Sequence, residues 1–372
     1  MYSMLIGSDL VPTETNYDLF AAGDVRQLAG EALLSELQSV DFRIFNLETP
    51  LTDTESPIAK CGPNLITPTR TMPGIKAFAP SLLALANNHI LDEGAQGLDS
   101  TMHLLKENDI PFIGAGNNLS EAQRPYIIEA DGKKIGVYNC AEHEFSIAEE
   151  DKPGANPFDL LESPDHIAAL KEQCDFVVVL YHGGKEHYRY PSPYLQRVCR
   201  KIADKGADLV VCQHSHCVGC MEHYNNSVLV YGQGNFLFDH SKSEFWQTSL
   251  LVKANFGSKM EVSFLPLCKR DNMVRLAEGG EAEQILSGFE NRSREIVQPG
   301  RIAKLYREFC MELKNWYLYA MAGSWENLGV PFADFKPHYD KDGLLMMINY
   351  LTCEPHRELI TNVVTELAAE KQ

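Results

Sequence analysis

Phe176-Val177-Val178-Val179-Leu180-Tyr181-His182-Gly183-Gly184 decides how the rest of the chain is read. Residues 176–181 are continuously apolar and β-rich, the signature of one buried strand. The run is far short of the ~20 residues a bilayer-crossing helix needs. It ends on an imidazole followed by two glycines, so a potential ligand stands where the strand gives way to a turn. The same arrangement recurs along the chain. Residues 4–7 run into Asp9, 42–46 into Glu48, 82–86 into Asn87-Asn88-His89, and 209–212 into His214 and His216. Residues 134–139 form a further strand, followed by Glu142-His143-Glu144.

Helical patterns lie between these strands. Leu98, Thr101, Met102 and Leu105 follow the spacing of one helix face after Gly94. Leu195, Val198, Cys199 and Ile202 do the same between Ser192-Pro193 and Gly206, which suit the two ends of a helix. Alternating strands and helices predict an α/β sheet with helices on its faces. Residues 228–231, 250–252 and 262–265 follow without intervening helices, so the sheet is expected to end in an antiparallel section. Beyond residue 268 the texture changes. Ile302, Leu305, Tyr306, Phe309, Leu313 and Trp316 share a helical face, and 357–370 also reads as helix. The division is therefore a domain of residues 1–268 and a mainly helical region of 269–372, joined through the polar stretch 271–283.

The 51 acidic and 33 basic residues give a net charge of −18, which opposes binding to nucleic acid or anionic membranes unless a local basic patch exists. The sequence holds no Lys/Arg cluster dense enough for one. The N-terminal Met1-Tyr2-Ser3-Met4-Leu5-Ile6-Gly7 has no basic region and too short an apolar one for a signal peptide. Ten cysteines at scattered spacings read as reduced thiols. These features predict a cytoplasmic protein without a membrane span or nucleic-acid partner.

In an open α/β sheet, ligands bind outside the carboxyl ends of the strands, so the residues ending these strands are expected to converge. Carboxylates, an Asn carbonyl and neutral imidazoles make a mixed oxygen and nitrogen donor set suited to Mn, Fe or Zn, one or two ions. Structural alternatives stand beside this. Asn88 could cap the next helix, and His182 could be a satisfied core histidine. Cys217-Val218-Gly219-Cys220 lacks the second Cys pair that a structural zinc needs. Substrate-side candidates are Lys60, Glu142, His143, Glu186, His187 and Arg189, with Asn235 after the Gly232 to Gly234 turn.

Seven blocks, in order, resemble the CapA domain of capsule and poly-γ-glutamate synthesis proteins. They are Asn46-Leu47-Glu48-Thr49-Pro50-Leu51, Leu85-Ala86-Asn87-Asn88-His89 with Asp92 and Gly94, Gly114-Ala115-Gly116, His182-Gly183-Gly184-Lys185-Glu186, Gly206-Ala207-Asp208-Leu209-Val210, His214-Ser215-His216, and Tyr231-Gly232-Gln233-Gly234-Asn235-Phe236. The likeness covers about residues 4–255. It implies a calcineurin-like phosphoesterase fold, a four-layer α-β-β-α sandwich, with a helical C-terminal region outside the resemblance. It also implies that Asp9 is the ligand of the first strand, Glu48 the bridging carboxylate, and Asn88, His182, His214 and His216 the remaining ligands. His89 would be the acid that protonates the leaving oxygen. Asp24 is the alternative to Asp9, although its place before a helix suits an N-cap. This chain has Asp9-Leu10-Val11 where the parent pattern has Asp-x-His, and Glu48 where it has Asp. The implied activity is metal-dependent hydrolysis of a phosphoester or amide-type bond in envelope polymers, and the alternative is a polymer-assembly or binding role. The expected ligands are an anionic polymer or a small phosphoester, with a homo-oligomer also compatible.

Overall fold

The computed structural model describes residues 1–321 and 340–352, together with His356, Thr361, Val364 and Ala368. Sixteen strands, numbered in chain order, form two main sheets and a small ribbon. The first sheet holds β1 (Tyr2–Val11), β2 (Phe42–Leu47), β3 (Leu82–Ala84) and β4 (Phe112–Ile113), all parallel. On its other side β14 (Thr248–Phe256), β15 (Met260–Arg270) and β16 (Met273–Leu276) continue antiparallel from β1. A short β13 (Leu237–Phe238) pairs with the last residues of β1. The second sheet runs β11 (Met221–Tyr224), β12 (Ser227–Tyr231), β10 (Leu209–Gln213), β9 (Phe176–His182), β7 (Lys133–Ala141), β6 (Tyr126–Ala130). The ribbon is β5 (Ala115–Gly116) with β8 (Gly154–Ala155).

Alternation along each central strand explains the layers, because successive side chains point to opposite faces. Met4, Ile6 and Ile44 pack face to face with Val178, Leu180, Val211 and Val230 between the sheets. Leu5, Phe45 and Leu83 point outward into one helical layer, with Leu98, Met102 and Leu105. Val177, Val179 and Tyr181 point outward into the other, with Leu195, Val198, Cys199 and Ile202. This is the four-layer α-β-β-α arrangement, and apolar strands buried on both faces are what it requires. The helix Gly94–Glu107 buries the face expected for it. Pro193–Asp204 does likewise, and Ser192 caps it by accepting from the Leu195 amide at 3.0 Å.

Two features depart from expectation. Residues 228–231 form β12, parallel to β10 but antiparallel to the edge strand β11, so this antiparallel end belongs to the second sheet, whereas 250–252 and 262–265 lie in the antiparallel β14–β15 section of the first. The link through β11 carries the chain back across the sheet before β12 begins, doing a crossover's job without a helix. The stretch 271–283 is structured: it contains β16 and the start of the helix Gly279–Ile296. Ile285 and Phe289 on that helix are buried with Leu250, Cys268 and Val218. Accordingly one compact unit runs from Met1 to Lys304 and a second from Leu305 to Gln372. The helix Arg301–Met321 contains the residues of the expected face, and Lys341–Thr352, in the second unit, forms another helix. The helix expected at 357–370 lies outside the described residues except for Thr361, Val364 and Ala368, which are helical. Among the described residues no helix is long and apolar enough to cross a membrane.

Candidate metal centre

Every parallel strand carries its carboxyl end to the same rim. β1 shifts register between Ile6 and Asp9, and the strand continues through Asp9 to Val11. That irregularity turns the Gly7 carbonyl toward the Gln213 amide, which donates to it at 3.1 Å, while Gln233 donates to the Ile6 carbonyl at 2.9 Å. Two buried glutamines thereby tie the ends of β10 and β12 to β1 directly beneath the rim. Asp24 is elsewhere: its Oδ1 accepts from the Gln27 amide at 3.1 Å, capping the helix Val25–Ala29.

Six of the expected residues converge. Glu48, His182 and His214 bring donor atoms within 4.8 Å of one another, and so do Asp9, Glu48 and His216. Glu48 belongs to both sets. His182 Nε2 lies 3.0 Å from Asn88 Oδ1 and 3.4 Å from Glu48 Oε1. His216 Nδ1 lies 2.8 Å from Asn235 Oδ1 and 3.5 Å from Asp9 Oδ2. Asn88 is no helix cap here, since the following helix starts at Gly94. His214 and His216 do not project from extended backbone as a simple i, i+2 pair would. Both have positive φ, 93° and 51°, beyond the end of β10. Non-glycine residues held in that region are strained, a feature that concentrates at functional sites.

The electrostatics are unusual for a core. Glu48 and Asp9 are fully buried, and among the described residues Asp9 Oδ2 and both Glu48 oxygens lack a well-formed hydrogen bond, with His216 3.5 Å from Asp9 Oδ2 and His182 3.4 Å from Glu48 Oε1. Burial, then the Asp9 charge, pushes the Glu48 carboxyl well above its ordinary range. Burial raises Asp9 too, but the hydrogen bond and charge of His216, with His182 and Asn46, outweigh it and bring Asp9 lower. Burial drives His182 down to about 3 and His214 well below an ordinary histidine. Burial also lowers His216, but Asp9 and Asn235 reverse this and raise it. Unpaired buried carboxylate oxygens beside neutral imidazoles are the donor set a divalent cation requires, so these residues fit one.

Around this cluster the remaining residues divide. His89 Nδ1 lies 2.5 Å from Asp92 Oδ2, and Lys60 forms an ion pair with the other Asp92 oxygen. The Lys60 side chain is 1% exposed, so its charge faces Asp92 and not the solvent. Glu186 and His187 line a cleft of about 330 Å³ together with His89, His216, Phe238 and Trp246. Arg189 lies over the Phe245 ring at 4.8 Å. His143 is exposed, and Glu142 packs beside Gly183, its carboxyl raised mainly by burial. From that loop it is Glu144 that reaches the cluster, accepting from Asn88 Nδ2 at 2.9 Å and lying 4.0 Å from His214. Asn46 was not singled out from sequence, yet its amide reaches Asp9 Oδ1 at 2.9 Å and His182 Nδ1 at 3.3 Å. Trp246 was not singled out either: it stacks on His216 with centroids 4.4 Å apart and donates to His187 Nε2 at 2.8 Å. Cys212, Cys217 and Cys220 are buried packing residues.

Two facing sheets flanked by helices, with a carboxylate–imidazole cluster at one rim, define a four-layer α/β protein with a candidate metal centre. The chain belongs to the bacterial capsule synthesis protein family PGA_cap, whose model matches residues 6–240. It is 31% identical over 175 residues to the capsule biosynthesis protein CapA of Bacillus anthracis, covering 45% of this chain and 43% of that protein. It is 30% identical over 190 residues to the PGA biosynthesis protein CapA of Bacillus subtilis, covering 49% and 50%. The match thus spans about half or less of these two relatives. A probable polyglutamine synthesis accessory protein of Mycobacterium tuberculosis is 30% identical over 297 residues, covering 71% and 76%. A solved putative 5'-nucleotidase from Staphylococcus aureus overlays with a TM-score of 0.47 at 14% identity, covering 78% of this chain and 58% of that one.

Proposed function

We propose that this chain is a metal-dependent hydrolase that cleaves a phosphoester or amide-type bond in capsule, poly-γ-glutamate or other envelope-polymer metabolism. One observation carries this reading: two three-residue donor sets share the fully buried Glu48, whose oxygens accept no well-formed hydrogen bond among the described residues. Asp9, Glu48, Asn88, His182, His214 and His216 would hold one or two ions of Mn, Fe or Zn. A bound divalent ion supplies Lewis acidity and a nucleophile active at neutral pH.

The protein's own groups do the rest. Asp92 accepts from His89 Nδ1, so the proton handed to the leaving oxygen is the one Nε2 carries in the imidazolium form, whose charge the Asp92 carboxylate stabilises, and the ring is left neutral. Lys60 balances the Asp92 charge and keeps that pair rigid. Asn46 orients both Asp9 and His182. Trp246 closes one side of the cleft and limits water at His216.

The experiment is elemental analysis of protein reconstituted with Mn, Fe or Zn, paired with turnover on phosphomonoesters, phosphodiesters and γ-glutamyl oligomers. Retained metal and turnover lost in His182→Ala and His216→Ala are expected, whereas protein that retains no metal refutes the reading. The biosynthesis and accessory names of the relatives favour a second possibility, a transferase-like or binding role in polymer assembly. Metal-loaded protein that binds γ-glutamyl oligomers and cleaves no substrate would select it.

A further inference from the structure

Arg189 and Arg292 come from distant parts of the chain and converge on one atom. The Val218 carbonyl oxygen accepts from Arg189 Nη1 at 3.1 Å and from Arg292 Nη2 at 3.0 Å. Arg292 Nε also donates to the Gly219 carbonyl at 2.7 Å. Two guanidinium groups sharing a carbonyl repel each other. Burial lowers the Arg292 pKa, and the charge of Arg189 lowers it further. Such a pair is normally balanced by carboxylates, but among the described residues none lies within ion-pair distance of Arg292. Arg189 has only Glu244, 3.9 Å away and largely exposed. Glu281, nearby, is held by Arg270 at 2.5 Å.

Both arginines line a pocket of about 410 Å³. Each guanidinium has five N–H donors, and the carbonyls occupy one from Arg189 and two from Arg292, so donors remain for a ligand. A relay of packed side chains runs from the pocket wall to the metal cluster. Arg189 stacks on Phe245, Phe245 stacks on His187 at 5.4 Å and 19°, and His187 lies 6.3 Å from His216. Val218 follows His216 by two residues.

We propose that Arg189 and Arg292 form an anion subsite that holds a carboxylate or phosphate of an acidic chain whose reacting bond lies at the metal cluster. This rests on the proposed function for the place of the reacting bond, while the anion site itself stands on the arginine pair. Glu244 and Glu281 also line this pocket, but Glu281 is engaged by Arg270 and Glu244 lies 3.9 Å from Arg189, so the two guanidinium groups keep donors for an anion in a chain of net charge −18. Guanidinium forks suit this task because they match carboxylate and phosphate oxygens bidentately.

The test is calorimetric titration of γ-linked hexaglutamate into EDTA-stripped protein, with tripolyphosphate as a parallel ligand. Hexaglutamate binding that weakens with salt, and weakens about tenfold in Arg189→Gln and Arg292→Gln, is expected. Arg292 also supports the loop carbonyls, so Glu244→Gln provides a second measurement. It removes an exposed acid beside Arg189 and should tighten binding about threefold without touching the loop. If only tripolyphosphate follows these variants, the subsite holds with phosphate as its ligand. Equal affinity in wild type and all variants, or no binding of either ligand, overturns it. Stripping the metal separates this from catalysis. Metal-loaded protein that cleaves nothing while binding follows the variants refutes the hydrolase alone, and a working hydrolase whose anion binding ignores them refutes the subsite alone.

Discussion

Trp246 stacks on His216, with ring centroids 4.4 Å apart and planes inclined at 30°, and the same indole donates to His187 Nε2 at 2.8 Å. One side chain thus fixes the face of a candidate ligand and the orientation of a cleft histidine. Trp246→Ala should cost about 3 kcal/mol of stability through the cavity it leaves, read from urea midpoints. Trp246→Phe keeps most of the packing and loses only the donor. It should leave stability within about 1 kcal/mol of wild type while raising KM more than it lowers kcat, because His187 is released. Equal loss of kcat and KM effects in both variants would assign Trp246 to packing alone.

Glu48 sets stability against binding. Its carboxylate is fully buried without a well-formed hydrogen bond among the described residues, and burial and Asp9 push its pKa well above the ordinary range. A raised acid pKa means the folded protein prefers the protonated form, so metal-free stability falls as pH rises above the ordinary carboxyl value. Glu48→Gln should therefore stabilise metal-free protein by about 1–3 kcal/mol at neutral pH, with a smaller gain in acid. The same variant should retain less metal by elemental analysis. A Glu48→Gln protein that is less stable than wild type when stripped of metal would contradict this account.

The two sheets and most of the rim could be read from local pattern, because strands buried on both faces leave continuous apolar runs and their last residues mark the site. Glu48, His182 and His216 sit at such ends, and Asp9 follows the register shift within β1. Asn46 could not be read this way. It lies inside β2, and only the neighbouring strands bring Asp9 and His182 to its amide. Trp246 arrives on a short 3-10 turn, Glu244–Gln247, after an irregular stretch, and nothing in its spacing points to His216. β16 carries no clear period because Met273-Val274-Arg275-Leu276 is only four residues long and places an arginine among apolar ones. Gly234 is the opposite case. Its φ of +73° and the Thr248 carbonyl, 2.7 Å from where a Cβ would stand, explain the glycine that marked the turn before Asn235.

Acid should destabilise the metal-free protein through its buried histidines. His182 is depressed to about 3 from 6.5, chiefly by burial, and His214 is depressed for the same reason. Below 6.5 the unfolded chain takes up protons that these folded imidazoles refuse, so the unfolded state binds more and stability drops as pH falls. The loss runs from about pH 6.5 down toward pH 3, at ~1.4 kcal/mol per unit for each histidine that stays neutral. His216 is raised, so its contribution is complete below 6.5 and is lost only as pH rises above that value; it adds no slope in this window. Urea midpoints of EDTA-treated protein should decline over this range, and His182→Asn should flatten the curve. An unchanged slope in His182→Asn would remove His182 as a cause.

Lys60, Asp92 and His89 form a buried triplet whose parts should fail differently. Asp92 receives His89 Nδ1, Lys60 and the Leu65 amide, so its charge is fully engaged. Lys60→Met leaves that carboxylate without its cation and should cost about 3 kcal/mol of stability. Asp92→Asn keeps the shape but weakens the hold on His89, and turnover should fall about 10- to 100-fold with metal content unchanged. If His89 protonates the leaving oxygen, the loss depends on how much help that oxygen needs. His89→Gln should slow esters of poor alkyl leaving groups far more than nitrophenyl esters, which depart unaided. Equal slowing of both would deny His89 the role of acid and leave it a binding residue of the cleft.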